Sequence, residues 1–185
     1  MKKQEKIDII SRGISETEIC RCYFIYDKNC HYYYPNAVND KFLLGQKEDD
    51  FILDGYCIRK ISQLKKVEIK DDLCNIINKF NGTHEKIKMP QVDISSWQSI
   101  FSSLKEMGCF VIIEDEIEDK FLIGVVEKAL KNKLHFKSFD ANGVWDDGWE
   151  INYSAITTVK WGCRYTEVWQ KYLRENKEND DDSAS

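Results

Sequence analysis

Ser62-Gln63-Leu64-Lys65-Lys66-Val67 and Ser154-Ala155-Ile156-Thr157-Thr158-Val159 share the pattern S-x-[LI]-x-x-V. Each reads as a polar cap, one buried aliphatic residue and the start of a short strand. A second correspondence sits just upstream, where Asp54-Gly55-Tyr56 answers Asp147-Gly148-Trp149. The two offsets, 92 and 93 residues, agree to within one position, which is the mark of an internal repeat. Asp40-Lys41-Phe42-Leu43-Leu44-Gly45 also resembles Asp119-Lys120-Phe121-Leu122-Ile123-Gly124, at an offset of 79. The 92-residue register is preferred because it keeps the same number of strand candidates in each copy.

Those candidates come from aromatic and β-branched runs closed by turn residues. In the first copy they are residues 20–26, 31–34, 41–45, 55–59 and 67–69, with Asp27-Lys28-Asn29 and Pro35-Asn36 as punctuation. In the second they are 109–113, 121–126, 134–139, 150–153 and 157–161. The period changes between the copies. Leu73, Ile76, Ile77 and Phe80 recur at i, i+3, i+4, i+7 between Asp71-Asp72 and Gly82, the spacing and punctuation of a helix. Ile94, Trp97, Ile100, Phe101, Leu104 and Met107 mark a second helix, with Asp93 as its expected N-cap and Gly108 beyond its end. After Gly162, the residues Tyr165, Val168, Trp169, Tyr172 and Leu173 read as a third amphipathic helix.

Composition bounds the class of protein. The 185 residues carry 27 Lys+Arg against 32 Asp+Glu, a formal net charge of −5, and 42% are hydrophobic, enough for a packed core. Residues 174–185 hold two basic and five acidic residues, which leaves −2 for the remainder. With no apolar residue larger than alanine from 176 onward, that end reads as a disordered acidic tail. No apolar run approaches the ~18 residues of a membrane span, and charges interrupt the first twenty positions, so a cytoplasmic location is expected. Seven cysteines, an odd number at low density, fit free thiols in a reducing compartment.

The S-x-[LI]-x-x-V segment resembles the one-turn helix and last strand of SH3-like and Sm-like barrels. The segments 156–165, 140–145 and 51–56 are similar to those of a family of uncharacterised bacterial proteins carrying tandem barrels of this kind. The resemblance spans roughly residues 15–70 and 108–173. It implies a fold and assigns no activity, since its motifs are turns and core positions. Neither copy carries the Asn and Arg-Gly motifs with which Sm proteins hold RNA: the corresponding positions read Ile61-Ser62 and Tyr153-Ser154.

No residue pattern points to catalysis. Cys20-x-Cys22 with Cys30-His31 lacks the paired knuckles of structural zinc, and small buried hydrophobes are the simpler role for these thiols. His31, His84 and His135 are not accompanied by a nucleophile motif. The acids Glu114-Asp115-Glu116, Glu118-Asp119 and Asp146-Asp147 fall at turns, where carboxylates are usually solvated. No glycine-rich phosphate loop occurs. Arg59, Lys60, Lys65 and Lys66 flank the first motif, and Tyr32, Tyr33 and Tyr34 offer stacking faces, the ingredients of a single-strand nucleic-acid platform.

The sequence therefore predicts a mainly β protein with helices (α+β). It would contain two small SH3/Sm-like five-stranded barrels, at 15–70 and 108–173. A two-helix segment at 71–107 would join them, a C-terminal helix would close the second, and the tail would occupy 174–185. The expected core is Phe24, Leu43, Ile58, Leu64, Val67, Trp97, Phe101, Val111, Phe121, Phe136, Ile151, Ile156, Val159, Val168 and Trp169. The expected function is a non-enzymatic, cofactor-free binding or assembly module for a protein partner, with no catalytic, cofactor or metal residues. The alternative is RNA or single-stranded nucleic-acid binding through Arg59, Lys60, Lys65 and Lys66.

Overall fold

A computed structural model describes residues 1–183, with side chains as far as residue 175. A helix opens the chain, α1 (Lys3–Glu16), followed by β1 (Cys20–Phe24), β2 (Cys30–Val38), β3 (Phe42–Asp49), β4 (Ile52–Lys60) and β5 (Leu64–Ile69). Next come α2 (Leu73–Phe80) and α3 (Trp97–Met107). The second half holds β6 (Val111–Asp115), β7 (Lys120–Ala129), β8 (Lys133–Ser138), β9 (Trp149–Asn152) and β10 (Thr158–Trp161), and α4 (Arg164–Ser183) ends the described chain. α1 is not among the elements expected from the sequence; its Ile10 and Gly13 are buried against the first half. Of the expected tail, residues 174–183 belong to α4, and 184 and 185 lie outside the described residues.

The ten strands form one open antiparallel sheet in the order β5-β1-β2-β3-β4-β10-β6-β7-β8-β9. This overturns the expectation of two SH3/Sm-like barrels joined by a two-helix segment. The deciding contact is between β4 and β10. Arg59 stands opposite Thr158, Ile58 opposite Val159, Cys57 opposite Lys160 and Tyr56 opposite Trp161. The backbone groups that β4 would need to close a barrel are used across the halves instead, because an unpaired strand edge is satisfied by whichever strand aligns with it. The strand order is the same in each half, with the fifth strand beside the first, so β5 and β9 are left as the outer edges.

Both faces of this sheet are covered. Alternation along β3 and β4 sends Leu43 and Cys57 to one face and Leu44 and Ile58 to the other. The first face packs with Ile10 of α1, Phe24, Tyr33 and Val67. The second packs with Ile100, Phe101 and Leu104 of α3, and with Val111, Phe136 and Val159. This double burial explains the unbroken apolar run Phe42-Leu43-Leu44. A smaller cluster of Phe110, Ile112, Ile123 and Phe139 lies under Trp169 and Leu173 of α4. Most of the expected core is buried; the exceptions are Phe121 and Val168, 50% and 60% exposed, while Trp97, Ile151 and Trp169 are half-buried.

Local punctuation matches its chemistry with one correction. The N-cap of α3 is Ser96, whose side chain accepts a bond from the Ser99 amide at 3.0 Å; Asp93 instead closes a turn onto Ser95. Gly108 ends the helix at φ 62°. At the seam between halves, Gly55 sits at φ 70°, and a Cβ there would stand 2.4 Å from the Cys163 amide nitrogen. Only glycine fits that approach. Among the described residues, no helix is long and apolar enough to cross a membrane.

Candidate interaction surface

The feature that departs furthest from ordinary packing is α2. Asp72 caps it, accepting from the Asn75 amide at 3.3 Å, and the chain turns away through Asn81 and Gly82, the latter at φ 67°. Its spacing places Leu73, Ile76, Ile77 and Phe80 on one face, as read from the sequence. That face points outward: Leu73 is 67%, Ile76 63%, Ile77 37% and Phe80 93% exposed. The residues turned inward are polar. Asn78 is fully buried and Asn75 nearly so.

Hydrogen bonds hold the helix in this inverted orientation. The Asn78 side chain donates to Glu48 Oε1 and to the Cys74 carbonyl, both at 3.1 Å. Glu48 is itself buried on β3, accepts the Phe51 amide at 2.9 Å and faces Lys70. The Asn75 side chain donates through Nδ2 to Glu18 Oε2 at 2.6 Å, and Lys79 pairs with the same carboxylate. Burial raises the Glu18 carboxyl, but bonds from Lys79 and Asn75 outweigh it and hold the group below the ordinary glutamate range. Beyond the helix, the Thr83 hydroxyl donates to the Phe51 carbonyl at 3.1 Å. An eight-residue helix is marginal in water by itself, so these ties fix both its existence and its orientation.

The cost of the arrangement lies on the other side. Fully burying a side chain such as Leu, Ile or Phe is worth about 1.5–3 kcal/mol, and α2 leaves much of that unrealised at four adjacent positions. Single exposed hydrophobes are ordinary, whereas a contiguous stripe marks a contact surface. Periodicity identified which residues share a face but carried no information about where that face points.

The basic residues singled out from the sequence do not converge. Arg59, 1% exposed, lies inside the sheet. Its guanidinium reaches Glu116 at 2.6 Å and the Tyr26 and Tyr33 hydroxyls at 3.2 Å, bonds Thr158, and sits 4.4 Å over the Phe24 ring. Lys60, pointing to the opposite face, donates to the Tyr153 and Ser154 carbonyls. Lys65 and Lys66 are exposed on the edge strand β5, where Lys66 pairs with Glu68. Of the tyrosines, Tyr33 and Tyr34 are buried, and Arg21 and Lys70 cover the ring of Tyr32.

The remaining candidates have structural occupations. Cys20 and Cys22 are buried on one face of β1, and burial pushes the Cys20 thiol up to about 12. Among the described residues, no three His, Cys, Asp or Glu side chains are grouped to hold a metal ion. Burial and then the charge of Arg59 hold His31 below the usual histidine range, against the pull of Asp27 at 2.5 Å. Glu114 pairs with Lys160, Asp115 accepts the Ile117 amide, and Glu116 binds Arg59. Asp146 accepts the Ser138 and Gly148 amides. No family profile, curated protein or solved structure matches the chain.

Proposed function

We propose that the chain is a non-catalytic interaction module whose contact surface is the outward apolar face of α2. The observation that carries this reading is the inversion of that helix, with Leu73, Ile76, Ile77 and Phe80 in solvent and Asn75 and Asn78 beneath. Its logic is thermodynamic: the apolar area left on α2 is free energy still available to association, and the buried polar ties prevent the helix from rolling over to use it internally. The engagement of Glu114, Asp115, Glu116 and Asp146 in turns and ion pairs supports the same reading, since these four carboxylates already have partners. The burial of Arg59 weighs against a basic nucleic-acid platform.

The test is site-specific photocrosslinking in living cells, with benzophenone-alanine at position 80 and, as control, at Val144, which is 64% exposed in the loop before β9. Discrete protein adducts from position 80 and none from 144 are expected. Equal, diffuse labelling from both positions, or none from position 80, would refute the surface.

A further inference from the structure

We infer that the two outer edges of the sheet are complementary, and that a second copy of the chain docks head to tail by laying its β5 antiparallel along β9. The molecule already contains this joint once. The fourth strand of the first half, β4, accepts the fifth strand of the second half, β10, over four residue pairs. Strand order is the same in the two halves, so β9 and β5 are the fourth and fifth strands that lack that partner. The sequence repeat marks the same correspondence. Asp54-Gly55-Tyr56 in β4 answers Asp147-Gly148-Trp149 at the entry to β9, and residues 62–67, leading into β5, answer residues 154–159, leading into β10. This contact is separate from the apolar face of α2.

The open backbone groups of the two edges match. The Lys70 amide donates to the Ile19 carbonyl at 2.8 Å, and the register continues with Cys20 opposite Ile69. Alternation then turns Lys66 and Glu68 to β1, and points the N–H and C=O of Val67 and Ile69 to the open side. On the other edge, the Tyr153 amide donates to the Asn132 carbonyl at 3.5 Å, so Trp149 and Ile151 bond β8 while Glu150 and Asn152 face outward. Glu150 opposite Ile69 of the second copy, with Asn152 opposite its Val67, pairs these groups. The Asn152 carbonyl also accepts the Ala155 amide at 3.0 Å. The joint is short: β9 has four residues, Lys6 takes the Leu64 carbonyl at the start of β5, and exposed Lys65 and Lys66 blunt that edge. Association is therefore weak and concentration-dependent. Each copy carries one edge of each kind, so the contact is heterologous and copies add end to end.

Sedimentation velocity across a wide concentration range tests this. The wild-type mass is expected to rise from 21.8 kDa through twice that value and beyond. Glu150→Pro and Ile69→Pro each remove one outward N–H and no bond within the sheet, and each variant alone is expected to stay at 21.8 kDa. Their equimolar mixture is expected to reach twice that mass and stop there, because one variant keeps an intact β5 edge and the other an intact β9 edge. A variant that dimerises alone, or a mixture of the two folded variants that stays monomeric, overturns the head-to-tail joint. Hydrogen exchange of the wild type reads the same edges without substitution. The amides of Val67, Ile69, Glu150 and Asn152 should exchange more slowly as concentration rises. Exchange at these four positions that does not change with concentration, or a wild type that stays at 21.8 kDa throughout, overturns the inference whatever the variants do.

Discussion

The Arg59 guanidinium and the Glu116 carboxylate meet at 2.6 Å across the seam of the sheet, one on β4 and the other in the turn after β6, with the arginine side chain 1% exposed. Removing the acid leaves a cation in a site it cannot escape. Glu116→Ala should destabilise the fold by about 3 kcal/mol, the lower end of the range for breaking a buried pair because Glu116 retains some solvent contact. The exposed pair of Lys133 and Glu150 provides the contrast, and Lys133→Ala should cost less than about 0.5 kcal/mol. Urea unfolding of the two variants checks both values, and equal costs would contradict the seam as described.

On α2 the usual hierarchy of core and surface is reversed. Asn78→Ala should cost about 1–3 kcal/mol, since it strips a buried carboxylate of one of its donors. Phe80→Ser should change stability by no more than about 0.5 kcal/mol despite deleting an aromatic ring, because that ring is 93% exposed. Thermal unfolding of both variants decides the point. A large loss for Phe80→Ser would mean that the ring is part of a core.

How far the chain could be read in advance differs between these two regions. Alternation in β8, with Leu134, Phe136 and Ser138 inward, and the turn residues around it were enough to locate that strand. The pairing of β4 with β10 was not, because it depends on which of several free edges align across a hundred residues. The run Phe42-Leu43-Leu44 held a clue, since a strand without a polar face belongs in the middle of a covered sheet rather than on the outside of a small barrel. For α2, the spacing of Leu73, Ile76, Ile77 and Phe80 was legible, whereas its direction depends on Glu48 and Glu18, far away in sequence. Arg59 was read as a surface charge because nothing local revealed that Glu116 and two tyrosines would surround it.

Acid should loosen α2 through Glu18. Its carboxyl titrates below its ordinary value in the folded chain, so its contribution to stability is complete above the unfolded value of about 4.5 and is lost as the pH falls through the lower folded value. Lys79→Met removes one of the bonds that depress it and should flatten the stability-versus-pH curve in that acid window. Denaturant midpoints measured from neutral to acid pH follow the effect. Superimposable curves for the two proteins would assign the acid response to other carboxylates.

The seam should also be intolerant of a single methyl group. Gly55→Ala combines a positive φ with a Cβ 2.4 Å from the Cys163 amide, which should cost about 2 kcal/mol or more. Gly108→Ala, also at positive φ but with open space around its Cβ, should cost less. Calorimetric melting points of the two variants give the ranking, and the reverse order would contradict the close approach of β4 to the segment after β10.

The orientation of α2 is the premise of the contact surface, and hydroxyl-radical footprinting of the dilute protein reads it residue by residue. Phe80 and Leu73 should be oxidised at rates near those of an unfolded peptide, while buried Phe136 and Leu43 remain protected. Phe80 labelled as slowly as Phe136 in dilute solution would place the apolar face of α2 inside the protein and contradict the account.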